Sequence, residues 1–247
     1  MEITYIIILG IVQGLTEFLP VSSSGHLVLL ESLFDVQIDI IMLNIFLHLG
    51  SLLAVIIYYR KMLWQLIRHP FNKTTLLLFL ATVPTVIIVL LFSDFIEASF
   101  GGQYLSFGFL VTALFMIIAS FDYKGKKQMD KKTAVFMGVI QGLATLPGIS
   151  RSGSTLTAGI VCGKDKKEVA DFSFLMSIPV IIGSLVFECV KIESFSLPFI
   201  DIVIGMIFSF IFGYIAIKWM IQIVKKTKLY YFSIYLIILA IITMFIL

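Results

Sequence analysis

Charge is scarce in this chain. Asp, Glu, Lys and Arg make up 13% of its 247 residues, where a soluble globular domain carries about 25%, so an ordinary water-facing surface is excluded. Cysteine is almost absent. Cys162 and Cys189 show neither metal-ligand nor redox spacing and read as buried apolar residues. The N-terminus, MEITYIII, lacks a basic segment and a small-residue cleavage site, so no cleaved signal peptide is expected.

Hydrophobic residues are abundant, at 60% of the chain with a mean hydropathy of +1.07. Apolar runs fall at 40–59, 75–92, 104–121, 169–190, 202–217 and 229–247, near the roughly 20 residues a helix needs to cross a bilayer. The chain therefore reads as an all-α polytopic membrane protein. The loops between these runs alternate in sign. Basic ones lie at 58–74, 122–133, 163–168 and 218–228. Acidic or weakly charged ones hold Glu31, Asp35 and Asp39, then Asp94 and Glu97, then Lys191, Glu193 and Asp201. Lysine and arginine excess marks the cytoplasmic side; the lysine runs read as solvated loops that set orientation, not as nucleic-acid sites.

A repeat is visible. GIVQGLTEFLPVSSSGHL (10–27) aligns without a gap on GVIQGLATLPGISRSGST (138–155), with identities that include Gln13/Gln141, Gly14/Gly142, Ser22/Ser150, Ser24/Ser152 and Gly25/Gly153. Residues 1–121 and 134–247 then form two halves of a single membrane domain, joined by a basic cytoplasmic linker at 122–133. The first motif exits into an acidic loop and the second into a basic one, so the halves are expected to be inverted, a plan common among transporters. Each motif is broken, at Pro20 and at Pro147-Gly148, leaving arms too short to cross the ~30 Å hydrocarbon core. The expected architecture is six transmembrane helices plus two re-entrant helical hairpins whose tips meet.

The tips carry the polar residues. In PGISRSGST (147–155) a helix begins with free N–H groups and the positive end of its dipole, suited to an anion. Arg151 adds a planar fork for phosphate oxygens, and Ser150, Ser152, Gly153 and Thr155 add donors. The other tip supplies Ser22, Ser23, Ser24, Gly25, His26 and Glu17. Ser23 and His26 are three apart, neighbours on a helical face, and a hydroxyl beside an imidazole with a carboxylate nearby resembles an activated nucleophile. Together these are parts for phosphoryl transfer. Arg and Glu inside a membrane are functional by default. His48 reads as a structural hydrogen-bonded residue, Ser154 as a supporting hydroxyl and Asp171 as a cap or local pair.

QGLTEFLPVSSSGHL together with PGISRSGST, and FSFLMSIP at 172–179, resembles the bacterial undecaprenyl-pyrophosphate phosphatase family of the bacitracin-resistance type, over essentially the whole chain. The resemblance implies hydrolysis of undecaprenyl pyrophosphate to the monophosphate carrier of peptidoglycan synthesis, in the bacterial cytoplasmic membrane, with the site open to the extracytoplasmic face. It implies Glu17, Ser23, His26 and Arg151 as the catalytic set, with Ser23 the nucleophile. Gln13, in a supporting role, stands where many relatives have glutamate. A divalent cation, Mg2+ or Ca2+, is implied, with Glu17 as a ligand. The implied partners are the lipid pyrophosphate and the bilayer; a homodimer is left open. In the expected mechanism His26, oriented by Glu17, takes the Ser23 proton while Arg151 holds the diphosphate. The alternative is a prenyl-phosphate flippase or anion transporter without hydrolysis, for which the Ser23–His26–Glu17 cluster would be superfluous.

Overall fold

The computed structural model describes residues 3–34, 40–121, 123, 125, 127–190, 197–226 and 229–247, with the backbone alone at 40, 41 and 226. The loop charges expected at Asp35, Asp39, Asp122, Lys124, Lys126, Lys191, Glu193 and Lys228 lie outside the described residues. Within them the protein is helical, without a strand; an isolated bridge joins Lys127 to Lys164. The helices are α1 (Ile3–Phe18), α2 (Ser23–Phe34), α3 (Ile40–Tyr58), α4 (Arg60–Arg68), α5 (Lys73–Leu91), α6 (Ser93–Ser99), α7 (Leu105–Ala119), α8 (Lys131–Leu143), α9 (Arg151–Val161), α10 (Lys166–Cys189), α11 (Phe199–Lys226) and α12 (Tyr230–Ile246).

Among the described residues, α5, α10 and α11 are long and apolar enough to cross a membrane, and α3 joins them when its 75° bend into α4 is treated as one span. Helices α7 and α12 are apolar but shorter, at 15 and 17 residues. Large hydrophobic side chains point outward along α5, α7 and α12, with Leu91 and Phe107 among them. An apolar exterior of this extent fits lipid, because a soluble surface would gather it into patches of a few hundred Å² at most.

Two helix pairs are interrupted where the sequence predicts. α1 stops one residue before the Leu19-Pro20 segment and α2 starts at Ser23; α8 stops before Pro147-Gly148 and α9 starts at Arg151. At 1.5 Å per residue, α1 and α2 reach roughly 24 and 18 Å, and α8 and α9 roughly 20 and 17 Å. None of these arms spans the hydrocarbon core.

Small residues let these arms pack closely. α1 lies on α11 with Gly10 against the carbonyl of Gly205 and Gly14 between Ser209 and Gly213; a β-carbon at either site would collide with backbone. α8 lies on α5 in the same manner, Gly138 meeting the Ala81 carbonyl while its own carbonyl oxygen accepts from Thr85 Oγ1 at 2.8 Å. Close backbone approach of this kind drives helix association where no hydrophobic effect operates. Ahead of α8, Asp130 caps that helix by accepting from Thr133 N at 2.9 Å and pairs with the buried Lys164, whose ammonium also donates to Gln128 O at 2.9 Å. Asp171 forms the local pair expected of it, with Lys167 at 3.1 Å, and accepts from Tyr59 Oη at 2.7 Å.

Two sequence expectations change. The basic stretch 58–74, read as a loop, contains α4, whose apolar residues Met62, Leu63, Leu66 and Ile67 recur at helical spacing. The stretch between the runs 75–92 and 104–121, read as an acidic loop holding Asp94 and Glu97, contains α6.

Candidate active site

The first tip is shaped by Ser22, whose φ is +70°, the one non-glycine residue with positive φ among those described. Left-handed backbone at a serine costs about 1–2 kcal/mol, so something must hold it. His26 does. Its Nδ1 lies 2.7 Å from the Ser22 carbonyl oxygen, which can only accept, so Nδ1 carries the proton. Its Nε2 then accepts from Tyr235 Oη on α12 at 2.6 Å. The imidazole stacks on Tyr235 and meets Phe109 edge-on, both with ring centroids 5.8 Å apart. Ser22 Oγ in turn accepts from Gly25 N at 3.3 Å and caps α2.

The second tip reaches the same end differently. Gly148, with φ +81°, takes the left-handed turn, which glycine adopts at no steric cost. Ser150 is an ordinary N-cap at φ −74°, accepting from Gly153 N at 3.1 Å. α7 clamps this tip: Thr112 Oγ1 donates to Gly148 O at 2.9 Å and accepts from Ser150 N at 2.9 Å.

The tips touch. Ser152 Oγ donates to Leu19 O at 2.9 Å, and Gly153 lies so close to Pro20 that an added β-carbon would sit 3.1 Å from its ring. At this junction Arg151 is ion-paired with Glu17 through Nη2 and Oε1. The other carboxylate oxygen, Oε2, accepts from Ser23 Oγ at 2.6 Å and from Gln13 Nε2 at 3.1 Å. α3 closes the far side: Ser51 Oγ is 3.4 Å from Gln13 Nε2, and His48 Nε2 is 3.9 Å from Glu17 Oε2. His48 Nδ1 donates to Asn44 O at 2.8 Å, which leaves Nε2 facing the carboxylate. Glu17 and Gln13 are buried, whereas Ser23, Ser24 and Arg151 are half-buried, so the hydroxyls and the guanidinium lie on the more accessible side of the carboxylate.

Of the expected residues, Glu17, Ser23, Arg151 and Gln13 converge directly. Ser22, Ser24, Gly25, Ser150, Ser152 and Gly153 form the two turns around them, with the Ser22–Ser24 and Ser150–Ser152 hydroxyl pairs 3.4 and 3.2 Å apart. Thr155 is one turn deeper, hydrogen-bonded to Ser173 Oγ at 2.6 Å. His26 departs from its expected role. Its two nitrogens are committed to Ser22 and Tyr235, so Glu17 does not orient it and Ser23 donates to the carboxylate instead. The reason is local: Ser23 is the first residue of α2 and its side chain turns back across the break, not along the helix face. His48 is hydrogen-bonded as expected, through Nδ1 to Asn44 O, and its Nε2 also stands 3.9 Å from Glu17 Oε2. Ser154, at the repeat position of His26, has its Oγ buried without a hydrogen-bond partner. Sequence reasoning missed Tyr235 and Ser51.

For a metal the protein offers few ligands. Among the described residues no three of His, Cys, Asp and Glu gather at one place. Gln13 faces Glu17 with Nε2, and its Oε1 is buried without a hydrogen-bond partner. The Glu17 carboxylate and the Gln13 amide oxygen are donors of the kind a hard cation uses, with the rest of its shell left to a substrate's phosphates.

The described residues thus hold a buried carboxylate bound at once to a guanidinium and a serine hydroxyl, beside the N-termini of α2 and α9. The chain is a member of the bacitracin resistance protein BacA family, whose model matches residues 6–242. Similar proteins include the undecaprenyl-diphosphatase of Carboxydothermus hydrogenoformans, 41% identical over 95% of this chain and 94% of that protein, and undecaprenyl-diphosphatase 4 of Bacillus cereus, 43% identical over 92% and 91%. The undecaprenyl-diphosphatase of Halothermothrix orenii is 41% identical over 95% and 94%.

Proposed function

We propose that this protein hydrolyses undecaprenyl pyrophosphate to undecaprenyl phosphate and inorganic phosphate, with Glu17, Ser23 and Arg151 as its catalytic groups. The observation that carries the reading is the shared carboxylate: Glu17 holds Arg151 on one oxygen and the Ser23 hydroxyl on the other. A diphosphate arriving at the tips takes Arg151 and the N–H groups opening α2 and α9, where two positive dipole ends converge. That exchange frees Glu17 to take the Ser23 proton. Ser23 Oγ attacks the terminal phosphorus, the anhydride P–O bond breaks, and undecaprenyl phosphate leaves with the bonding pair. Glu17 passes its proton to the departing lipid phosphate; water then attacks the phosphoserine, giving one proton to the freed Glu17 carboxylate, which hands it to Ser23 Oγ as the Ser23 O–P bond breaks and phosphate is released. Charge stabilisation dominates such a step. His26 positions the Ser22–Ser23 backbone, and His48 Nε2 faces Glu17 as a second proton acceptor.

A divalent cation, Mg2+ or Ca2+, fits beside Glu17 and Gln13 and would supply positive charge to the diphosphate oxygens. The sequence repeat supports an inverted pair of halves, 1–121 and 134–247, linked by 122–133 within one membrane domain. α1 and α8, α2 and α9, α3 and α10, α5 and α11, and α7 and α12 start near positions offset by 128. The packing of α1 on α11 is answered by that of α8 on α5. On this plan α3, α5, α7, α10, α11 and α12 are the six crossings and the broken pairs are re-entrant. Loop charge supports a cytoplasmic position for 58–74 and 122–133, in a bacterial cytoplasmic membrane; family likeness favours substrate entry from the outer face. The relatives' names favour hydrolysis over a flippase or anion carrier.

The test is phosphate release from undecaprenyl pyrophosphate by purified protein in detergent, with and without a chelator, where transport has no meaning. Release by the wild type and its loss in Arg151→Ala is the expected result; no release from the wild type would refute hydrolysis.

A further inference from the structure

The chain has two tryptophans, and both are about half exposed beside basic residues. Trp64 is on α4, with the Arg68 guanidinium over its ring at 4.9 Å. Trp219 is in α11, next to Lys218, whose ammonium sits 4.8 Å over the Tyr214 ring. The two regions are tied together by Tyr58, at the end of α3, whose ring is 5.7 Å from that of Tyr214. α4 turns 75° away from α3, so if α3 crosses the bilayer α4 lies close to its plane.

The surface of α4 is divided. At 100° per residue, Leu63, Leu66 and Ile67 share one side, Lys61 and Gln65 lie opposite, Trp64 lies along the boundary with Arg60 and Arg68, and Phe71 beyond the helix is fully exposed. Arg60, Lys61, Arg68 and Lys218 are exposed and form no ion pair with a described residue. The nearby carboxylate, Asp171, is occupied by Lys167 and Tyr59. An apolar face with tryptophan, edged by uncompensated cations and lying across the end of a spanning helix, has the layout of an element seated at the headgroup level.

We propose that α4 and the adjoining turn of α11 around Lys218 and Trp219 form a binding face for anionic phospholipid headgroups. Arg60, Lys61, Arg68 and Lys218 meet the phosphodiesters while Trp64, Ile67, Phe71 and Trp219 enter the acyl boundary. The proposal rests on the membrane reading and not on hydrolysis. Each basic residue near an anionic surface enriches such lipids roughly fivefold at low ionic strength.

The tryptophans are their own reporters. Trp64→Phe and Trp219→Phe each leave a single fluorophore in the full chain, reconstituted in phosphatidylcholine vesicles with a minor fraction of brominated phosphatidylglycerol or brominated phosphatidylcholine. The expected result is severalfold stronger quenching of each tryptophan by the brominated anionic lipid. The preference should vanish at Trp64 when Arg60, Lys61 and Arg68 are changed to Gln, at Trp219 in Lys218→Gln, and at both when salt is raised to about 0.5 M. Phosphate release in detergent should stay at the parent level in these variants, which reports both their folding and the separateness of the two claims. Equal quenching by the two lipids, a preference that survives neutralisation or salt, a preference at one tryptophan alone, or no quenching of either would each overturn the proposal, the last pointing to a protein-covered face.

Discussion

The two hairpin tips share a scaffold and divide the chemistry. Positions 128 apart place Ser22 opposite Ser150 and Gly25 opposite Gly153, and each upstream helix carries a buried glutamine, Gln13 or Gln141. Both glutamines leave Oε1 without a partner. From there the tips diverge. Glu17 has Thr145 as its counterpart, Ser23 has Arg151, and His26 has Ser154. The first tip holds the anion and the hydroxyl; the second holds the cation. Gln13 donates to a carboxylate, whereas Gln141 Nε2 finds only Thr85 Oγ1 at 3.3 Å and Met176 O at 3.4 Å. Neither tip is a site alone, and a buried charge on either would be unpaired without the other.

That division predicts a ranking of losses. Arg151→Ala should lower phosphate release about a thousandfold, as loss of a charge-stabilising donor does. It should also destabilise the protein by about 3–5 kcal/mol, because Glu17 is left buried and unpaired; thermal unfolding in detergent checks the second part. Arg151→Lys keeps the charge but not the fork and should recover much of both. Ser23→Ala should cost at least about a hundredfold in turnover with little change in unfolding temperature. Near-normal turnover would replace the phosphoserine by direct attack of water.

Smaller effects separate the ways in which the two tips are held. Tyr235→Phe strips the donor from His26 Nε2 and should cost about 1–3 kcal/mol, with activity down by about tenfold or less. Tyr235→Phe leaving both unchanged would show that Ser22 keeps its left-handed backbone without the imidazole. At the second half, Asp130→Ala removes a helix cap worth about 1 kcal/mol. Lys164, and then the Thr133 N–H, hold the Asp130 carboxyl below its usual range. A depressed value in the folded state means that this contribution is complete above the unfolded value, about 3.9, and is lost as pH falls through the folded one. The gap in stability between wild type and Asp130→Ala should therefore be constant near neutrality and close only in strong acid.

Much of this is legible in the sequence. The shared Q-G-L and S-x-S-G segments marked the two broken helices, and polar residues at the breaks of an apolar chain marked the junction. What escaped depended on the third dimension. Six residues and a left-handed turn separate Glu17 from Ser23, so no helical spacing could pair them, while the three-residue spacing of Ser23 and His26 suggested a contact that the direction of the Ser23 side chain denies. His48 sits in an otherwise apolar helix, and its closeness to Glu17 follows from α3 packing on α1. Tyr235 lies among several aromatic residues of α12, 209 positions from its partner. α4 was different: its apolar spacing was present in the sequence, and the charges flanking it disguised a helix as a loop.

The most direct test of a joint centre is a double-mutant cycle on kcat/KM for undecaprenyl pyrophosphate, using Glu17→Gln, Arg151→Gln and the pair together in detergent. If one carboxylate and one guanidinium act as a unit, the double variant will be no slower than the slower single variant. Losses that multiply would mean that the tips contribute independently, and the centre described above would not exist.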